Sequence, residues 1–382
     1  MRNFQLCRVI AVVLLLLVTV LLYQENESTY DYKASFRLEA STRDLALKIQ
    51  KPFFESQIIP QPAYLPAAHS SSFVMLPNKS LLAFWFSGTR EGSPDVKIWS
   101  STYQDGTWKM ASPLVDPQMI SKANHRYVVK VGNPVIYLAR NGELHLFVVS
   151  VSVGGWSGSN LNHLISTDMG KTWSKPERIV ISPFFNISTL VRTSAVSLTD
   201  GGFYLPVYHE FIRKYPEILR FDANGKFIEQ IRISNKNRML QPSIMPINSD
   251  TAYAYFRNSS LDDSPKNIFM SETTDGGRHW SALKTTNLTN HDASVVAANL
   301  NDGRYIMVYN EKTRGHLWLA ISSDGINWKP FYQLENVEGD EFSYPDVQVN
   351  GDIVDIMYTN NRKNIKHVRF NREWLNGKIR ND

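Results

Sequence analysis

The stretch STDMGKTW, residues 166–173, decides the fold, because close copies of it recur along the chain. TTDGGRHW at 273–280 is a near copy, SSDGINW at 322–328 is one residue shorter, and DGTW at 105–108 is a remnant. In each copy the Asp carboxylate can accept backbone N–H groups in a tight turn, while the Trp can pack between neighbouring sheets. A turn repeated in this way predicts a series of similar β-sheets.

Six hairpins form a second repeat, and each consists of an apolar run, a turn and another apolar run. The turns lie at residues 77–79, 141–142, 200–202, 248–250, 301–303 and 350–351. Their Asn, Asp and Gly residues supply the positive φ angles that tight hairpins need. A spacing of about 50 to 60 residues suits one four-stranded sheet per repeat. We therefore predict an all-β chain that forms a six-bladed β-propeller, with Lys51–Pro60 supplying the strand that closes the ring.

The N-terminal region has an apolar run, VIAVVLLLLVTVLLY at residues 9–23, which follows Arg2 and Arg8. We expect a hydrophobic helix that acts either as a membrane anchor or as a cleaved signal peptide. Both alternatives predict an exported protein, which is membrane-anchored by residues 9–23 in the first case and secreted or periplasmic in the second. The predicted signal segment, linker, propeller and basic tail occupy residues 1–23, 24–50, 51–372 and 373–382.

Composition and charge argue against several functions. The one cysteine, Cys7, lies beside the apolar run, so neither an internal disulfide nor a cysteine metal cluster can form. The sequence has no H-E-x-x-H segment and no glycine-rich phosphate loop, and we predict no metal and no cofactor. The net charge of +5 is concentrated in residues 361–382. Nothing else in the sequence favours a nucleic-acid partner, and we expect none.

Propeller geometry predicts which polar residues share one face. In each blade the first strand begins, and the second ends, at the same end of the sheet, so residues that flank the hairpins converge on one mouth. The flanking residues are His69, Arg90, Glu91, Asp95, Asn133, Trp156, Arg192, His209, Glu210, Gln241, Arg257, His291, Asn310, Glu311, Arg314, Glu341, Tyr344, Asn360 and Arg362. Arginines, carboxylates and a tyrosine in one mouth predict a site for a sugar with an acidic group.

The repeated turn is the Asp box, and residues 66–370 resemble the exo-sialidase (neuraminidase) family with BNR/Asp-box repeats. LLAFWFSGTREGSPDVKIW resembles the segment that holds an arginine and the acid/base aspartate of that family, here Arg90 and Asp95. AYFRNSS and NEKTRGHLWLAISSDG place Arg257 and Arg314 at the second and third arginines of the family's triad.

The segment DEFSYPDVQVNGDIVDIMYT places Tyr344 at the family's nucleophile. The resemblance implies an exo-acting glycoside hydrolase that releases a terminal sialic acid, or a related nonulosonic acid, from glycans with retention of configuration. A neutral tyrosine suits this chemistry, because the substrate carboxylate would repel a carboxylate nucleophile. The arginines would clamp that carboxylate. Asp95 would protonate the leaving oxygen and then activate water.

The sequence departs from the family pattern at two positions. His69 stands where the family has its first triad arginine, and Gln241 stands near the glutamate that activates the tyrosine. We predict that Arg192 supplies the missing positive charge. Glu341 or Glu210 would then be the base for Tyr344. We further predict that His69, Arg90 and Glu91 contact the substrate.

Two other functions stay open. A His69 base, a tyrosine acid and arginines that neutralise a uronate would suit β-elimination by a polysaccharide lyase. A non-catalytic glycan-binding propeller is the other alternative. The predicted partners are a glycan with an acidic terminal sugar and, through the N-terminal segment, a membrane.

Overall fold

The computed structural model describes residues 2–25, 34–38, 51–182, 185–260 and 266–380. It contains two units, Met1–Lys33 and Ala34–Asp382. In the first unit, Arg2–Glu25 form helix α1, so the predicted N-terminal helix is present.

Among the helices of these ranges, none combines the length and the apolar character needed to cross a membrane. Export of the chain stays a prediction. Most of the predicted linker, residues 24–50, lies outside the described residues, but Phe36 within it is buried and pairs with Leu198.

The second unit is the predicted six-bladed propeller, built from six antiparallel sheets. Strand β1 (Phe54–Ile58) precedes blade 1, which contains β2 (Ala67–Met75), β3 (Leu81–Gly88), β4 (Lys97–Gln104), β5 (Thr107–Trp108) and β6 (Ser112–Val115). Helix α2 (Pro117–Asn124) leads to blade 2, which contains β7 (Lys130–Leu138), β8 (Leu144–Val151), β9 (Ser159–Ser166) and β10 (Glu177–Arg178). A short 3-10 helix, Gly155–Gly158, lies between β8 and β9.

The remaining blades follow the same plan. Blade 3 contains β11 (Leu190–Val191), β12 (Val196–Ser197), β13 (Phe203–Glu210), β14 (Lys214–Phe221) and β15 (Phe227–Arg232). Blade 4 contains β16 (Met239–Pro246), β17 (Ala252–Asn258), β18 (Asn267–Thr273) and β19 (Lys284–Thr289). Blade 5 contains β20 (Val296–Asn299), β21 (Tyr305–Asn310), β22 (His316–Ser322) and β23 (Lys329–Asn336). Blade 6 contains β24 (Phe342–Asn350), β25 (Ile353–Asn360) and β26 (Asn364–Asn371). All six predicted hairpins are present: they are the first two strands of their blades, except in blade 3, where the short strand β11 precedes the hairpin of β12 and β13.

The ring is closed by a strand from the N-terminal side. Strand β1 pairs antiparallel with β26, with Phe54 opposite Phe370 and Ile58 opposite Lys366, and so completes blade 6. The prediction of a closing strand within Lys51–Pro60 is confirmed. Helix α3 (Arg372–Arg380) follows β26 and buries Leu375, so the segment predicted as a basic tail begins as an ordered helix.

The Asp boxes connect the third and fourth strands of their blades, at the end of each sheet opposite the hairpin flanks. In the first complete copy, Thr172 donates to Asp168 through its hydroxyl at 2.6 Å and its backbone N–H at 2.9 Å. These bonds lower the pKa of Asp168 to about 2. Trp173 lies 5.7 Å from Phe84 of blade 1, measured between ring centroids, so the box also packs one blade against the next.

Candidate active site

Irregular pairing in the innermost strands directs side chains into the mouth. The register shifts between Leu240 and Ser243 in β16 and between Ser343 and Asp346 in β24. Each shift leaves two residues unpaired, and the first of the two has a positive φ, 50° at Gln241 and 57° at Tyr344. Bulges of this kind re-aim a side chain, and positive φ is uncommon for residues of this size. The two bulges therefore account for the meeting of Gln241 with Tyr344.

The hydroxyl of Tyr344 is the centre of the site. It accepts N–H groups from Gln241 Nε2 at 3.1 Å and from Arg257 Nη1 at 3.2 Å. Asp292 fixes the guanidinium of Arg257, because Asp292 Oδ1 accepts the Nε–H of Arg257 at 2.7 Å. Burial disfavours the charge of Arg257, but Tyr344 and Asp292 outweigh burial and raise the pKa of that guanidinium. Two donors, one of them cationic, can stabilise negative charge that develops on the Tyr344 oxygen.

A second arginine stands beside this cluster. Arg314 donates to the backbone oxygen of Asp292 at 3.0 Å and to Glu341 Oε1 at 2.9 Å. Arg362 donates to the other oxygen of Glu341 at 2.7 Å and also pairs with Glu91. Burial disfavours the charge of Glu341, but its hydrogen bonds and the two arginines outweigh burial and lower the pKa of that carboxyl. Glu341 is thus poorly suited to take a proton from Tyr344.

His69 packs against the ring of Tyr344. Their ring centroids are 4.2 Å apart, and His69 is only 3% exposed. Neither imidazole nitrogen has a hydrogen-bond partner among the described residues. Burial and then four nearby arginines, led by Arg362, hold the pKa of His69 well below its usual value of 6.5. The imidazole is therefore neutral at physiological pH.

Arg192 lies beneath Tyr344 rather than at the open mouth. It occupies the gap between β11 and β12 and is fully buried, with its guanidinium 5.0 Å from the centre of the Tyr344 ring. Its Nη1 and Nη2 donate to the backbone oxygens of Ser71 at 3.3 Å and Pro345 at 2.7 Å. Because these donors bind backbone in blades 1 and 6, the geometry does not favour the predicted contact between Arg192 and a substrate carboxylate. Arg192 instead connects blade 3 to two blades across the ring.

Tyr208 is a member of the site that sequence reasoning missed. Its hydroxyl accepts Gln241 Nε2 and Asn133 Nδ2, each at 3.4 Å, and burial raises its pKa well above 10. Tyr208 lies in an apolar strand, where a tyrosine is expected to be an ordinary residue of the hydrophobic core. The available signal was its position two residues before Glu210, because alternate residues of a strand face the same side.

Arg90 and Asp95 lie on the exposed loop between β3 and β4. Oδ2 of Asp95 accepts both the backbone N–H and the hydroxyl of Thr89, at 2.8 Å each. Within the described ranges, no hydrogen bond or ion pair joins Arg90 or Asp95 to the residues around Tyr344. Their predicted roles, as substrate contact and proton donor, stay predictions.

Glu210 ends strand β13 above Tyr208. Burial raises its pKa, with Asp292 and Glu91 adding to the rise while Lys214 and Arg257 oppose it. Glu210 is half-buried at the end of β13 that flanks the third hairpin, which is the mouth end of the blade. Among the described His, Cys, Asp and Glu side chains, no group of three or more is placed to hold a metal ion.

Sequence and structure comparisons are consistent with this architecture. Residues 79–356 match the family described as the BNR repeat-like domain. No curated protein matches the chain significantly in sequence.

Several solved structures share the fold. A Dyadobacter fermentans protein of unknown function is 16% identical, with a TM-score of 0.66 over 83% of this chain and 98% of that one. The Hadza microbial sialidase Hz136 is also 16% identical, with a TM-score of 0.65 over 79% of this chain and 65% of that one. The leech intramolecular trans-sialidase, complexed with 2,7-anhydro-Neu5Ac, is 11% identical, with a TM-score of 0.68 over 86% of this chain and 71% of that one. At these identities the likeness shows the fold.

Proposed function

The chain belongs to the family of BNR repeat-like domains, and from this premise we propose that it is an exo-acting glycoside hydrolase. Its substrate would be a glycan that ends in sialic acid or a related nonulosonic acid. The observation that carries the proposal is the meeting of Tyr344 with Arg257 and Gln241, beside Arg314. The names of Hz136 and of the leech enzyme, both sialidase-type proteins, agree with this substrate class.

Arg257 and Arg314 would bind the substrate carboxylate. Both are fixed by Asp292, one through its side chain and the other through its backbone oxygen. Each guanidinium has five N–H groups, and the hydrogen bonds of each arginine to the described residues use only two of its nitrogens. N–H groups therefore remain for a ligand. Planar, paired donors match a carboxylate better than the ammonium group of a lysine does.

Tyr344 would be the nucleophile. A carboxylate would be repelled by the carboxylate on the anomeric carbon of the substrate, whereas a tyrosine is not. The amide of Gln241 cannot accept the phenol proton as a carboxylate would. We therefore assign the attack to the neutral phenol of Tyr344, whose proton passes to solvent as the bond to the anomeric carbon forms, while the two N–H donors stabilise the charge that develops on its oxygen. A carboxyl at the mouth would protonate the leaving oxygen, and the family resemblance assigns this role to Asp95.

A fluorogenic sialoside tests the proposal. The purified chain should release the fluorophore, and Tyr344→Phe should abolish the release while leaving the melting temperature within a few degrees of wild type. Tyr127→Phe is the matched control, because Tyr127 is 74% exposed and should tolerate the change. No release by the wild-type chain from sialosides of several linkages would contradict the proposal.

One observation favours a second function, the polysaccharide lyase. The neutral imidazole of His69, with both nitrogens unpaired within the described residues, is the form needed for a base. Tyr344 could then be the acid, and the arginines could neutralise a uronate. Incubation with uronate polymers separates the two reactions, because elimination produces an unsaturated sugar that absorbs ultraviolet light. An absorbance increase that His69→Gln removes, without fluorophore release from sialosides, would favour the lyase.

A further inference from the structure

We propose that Glu210, rather than Asp95, is the carboxyl that protonates the leaving oxygen and then activates water. This inference rests on the proposed glycosidase function. It assigns the proton transfer within that reaction to a residue of blade 3. Tyr208, Gln241 and Tyr344 form a row of hydrogen-bonded side chains, and Glu210 follows Tyr208 in the same strand.

The backbone places Glu210 above this row. Tyr208 and Glu210 are two residues apart in β13, so their side chains leave the same face of the strand. Two residues of strand advance the chain by about 6.6 Å, and this step runs from the buried Tyr208 towards the mouth. The Tyr208 hydroxyl already contacts Gln241, which contacts Tyr344. Glu210 therefore stands one step outward from the groups that hold the nucleophile.

The main chain of Glu210 is fixed on both sides. Its N–H donates to Ser188 Oγ at 2.7 Å, and its backbone oxygen accepts the hydroxyl of Ser157 at 2.9 Å. Ser157 belongs to the 3-10 helix of blade 2, so two neighbouring segments hold the end of β13. A fixed backbone limits the positions open to the carboxyl, as a proton-transfer group requires.

The carboxyl of Glu210 is uncommitted, which distinguishes it from four other carboxyls of the mouth. Asp95 accepts two bonds from Thr89, and Asp292 is paired with Arg257. Glu91 and Glu341 are both paired with arginine. In the part of the chain that the structure describes, the Glu210 carboxyl alone among these five has no hydrogen bond or ion pair, and it is free to meet a substrate oxygen.

The charges that face Glu210 favour its protonated form. Burial is the largest influence, and the carboxylates of Asp292 and Glu91 act in the same direction, against the positive charges of Lys214 and Arg257. Tyr208, the remaining titratable neighbour, is neutral because burial raises its pKa. A carboxyl with a raised pKa keeps its proton to a higher pH than an ordinary glutamate does, which suits general-acid catalysis. Asp95 is exposed on its loop and lacks this environment.

The proton movements balance over two steps. In the first, Glu210 gives its proton to the glycosidic oxygen as the bond from that oxygen to the anomeric carbon breaks, and the Tyr344 oxygen bonds to the carbon and releases its proton to solvent. The shortened glycan leaves as an alcohol. In the second, water bonds to the same carbon and gives a proton to the Glu210 carboxylate, while the Tyr344 oxygen leaves and takes a proton back from solvent. Both residues return to their starting states.

Two substrates with the same sugar acid test the assignment, one with a 4-nitrophenol leaving group and one with lactose. Nitrophenol leaves without protonation, whereas the lactose oxygen requires an acid. We expect Glu210→Gln to lower kcat/KM for the lactoside by about 100-fold or more, and that for the nitrophenyl glycoside by less than about tenfold. The basic limb of the pH profile should also disappear. Glu177→Gln, at an exposed glutamate of β10, is the matched control.

Folding is checked by the melting temperature and by Glu210→Asp, which keeps a carboxyl and should retain more lactoside activity than Glu210→Gln. Equal losses on the two substrates, or no loss, would overturn the assignment to Glu210 while the glycosidase function stands. The same follows if Asp95→Asn, and not Glu210→Gln, shows a loss that depends on the leaving group. A wild-type chain that cleaves neither substrate overturns both the glycosidase function and the assignment.

Discussion

Gln241 donates an N–H to the Tyr344 hydroxyl over 3.1 Å, although 103 residues separate the two along the chain. The amide is 1% exposed and also reaches the hydroxyl of Tyr208. A glutamine at this position can donate to the tyrosine oxygen without adding a negative charge. The contact therefore suits a nucleophile whose oxygen gains negative charge as its proton leaves.

Replacing Gln241 should lower the rate more than it weakens substrate binding. We expect Gln241→Leu to decrease kcat for a fluorogenic sialoside by about 100-fold with little change in KM, because one of two donors to the Tyr344 oxygen is lost. Steady-state kinetics measure both constants. Gln104→Leu, at an exposed glutamine in β4, serves as the control. A kcat within about twofold of wild type would show that the donor is dispensable.

The guanidinium of Arg314 should matter mainly for substrate binding. We expect Arg314→Lys to raise KM by about tenfold or more, because the loss of one charge-assisted hydrogen bond costs about 1.5–3 kcal/mol. The kcat should change less, since the hydrogen bonds of Arg314 go to Glu341 and Asp292 rather than to the nucleophile. Arg140→Lys tests the same substitution at an exposed position. If kcat falls while KM is unchanged, Arg314 acts on the transition state rather than on bound substrate.

Arg192 should contribute to the stability of the ring. Arg192→Met removes the bonds to Ser71 and Pro345 and leaves the buried carboxyl of Asp346 without the positive charge that opposes its burial. We expect the free energy of unfolding to fall by about 3–5 kcal/mol, the range for breaking a buried ionic interaction. Urea denaturation measures this change.

The double variant Arg192→Met/Asp346→Asn should recover part of the loss, because no uncompensated carboxylate would then be buried. Arg140→Met is the matched control for the single variant. An additive effect of the two substitutions would show that Arg192 and Asp346 do not interact. An unchanged unfolding free energy in Arg192→Met would show that the contacts across the ring carry no net stability.

A buried histidine pair predicts acid sensitivity. His145 Nδ1 and His163 Nε2 are 2.9 Å apart, and burial lowers their pKa values to about 4 and about 3. An unfolded histidine titrates near 6.5, so the unfolded chain binds more protons below that pH. Stability is therefore full above pH 6.5 and is lost as the pH falls towards the folded pKa values, by up to about 1.4 kcal/mol per pH unit for each histidine.

Unfolding free energies measured between pH 5 and 7 test this expectation. The double variant His145→Gln/His163→Gln should show a shallower pH dependence than wild type, whatever its absolute stability. His291→Gln, at an exposed histidine, should leave the slope unchanged. An identical slope in the double variant would assign the acid sensitivity to other groups.

The sequence predicted the blades well because their information is local. A tight turn needs Asn, Asp or Gly at its own positions, and an Asp box places its carboxylate two to four residues from its donors, as Asp168 and Thr172 illustrate. The convergence of Arg257 and Tyr344 was also predictable, because the hairpin repeat fixes which strand ends share a face.

The details of the site depended on tertiary contacts that no short segment encodes. The positive φ of Gln241 and Tyr344 reflects bulges imposed by neighbouring strands rather than by residue type. Arg192 resembled any mouth arginine in sequence, and only the backbone oxygens across the ring explain its burial. The sequence did not identify Tyr208 as a site residue, because a tyrosine in a buried strand resembles a residue of the hydrophobic core.

The closing pair of strands sets an order for synthesis. Strand β1 leaves the ribosome before any blade, yet its partner β26 lies some 300 residues later, as the separation of 318 residues between Phe53 and Asn371 in the same seam illustrates. A nascent chain must therefore keep β1 unpaired until nearly all of the polypeptide has emerged. Tyr344 also belongs to that final portion of the chain. A chain that ends before Tyr344 therefore lacks both the partner strand of β1 and the nucleophile. Such a product would be inactive and, with an unclosed ring, open to proteolysis.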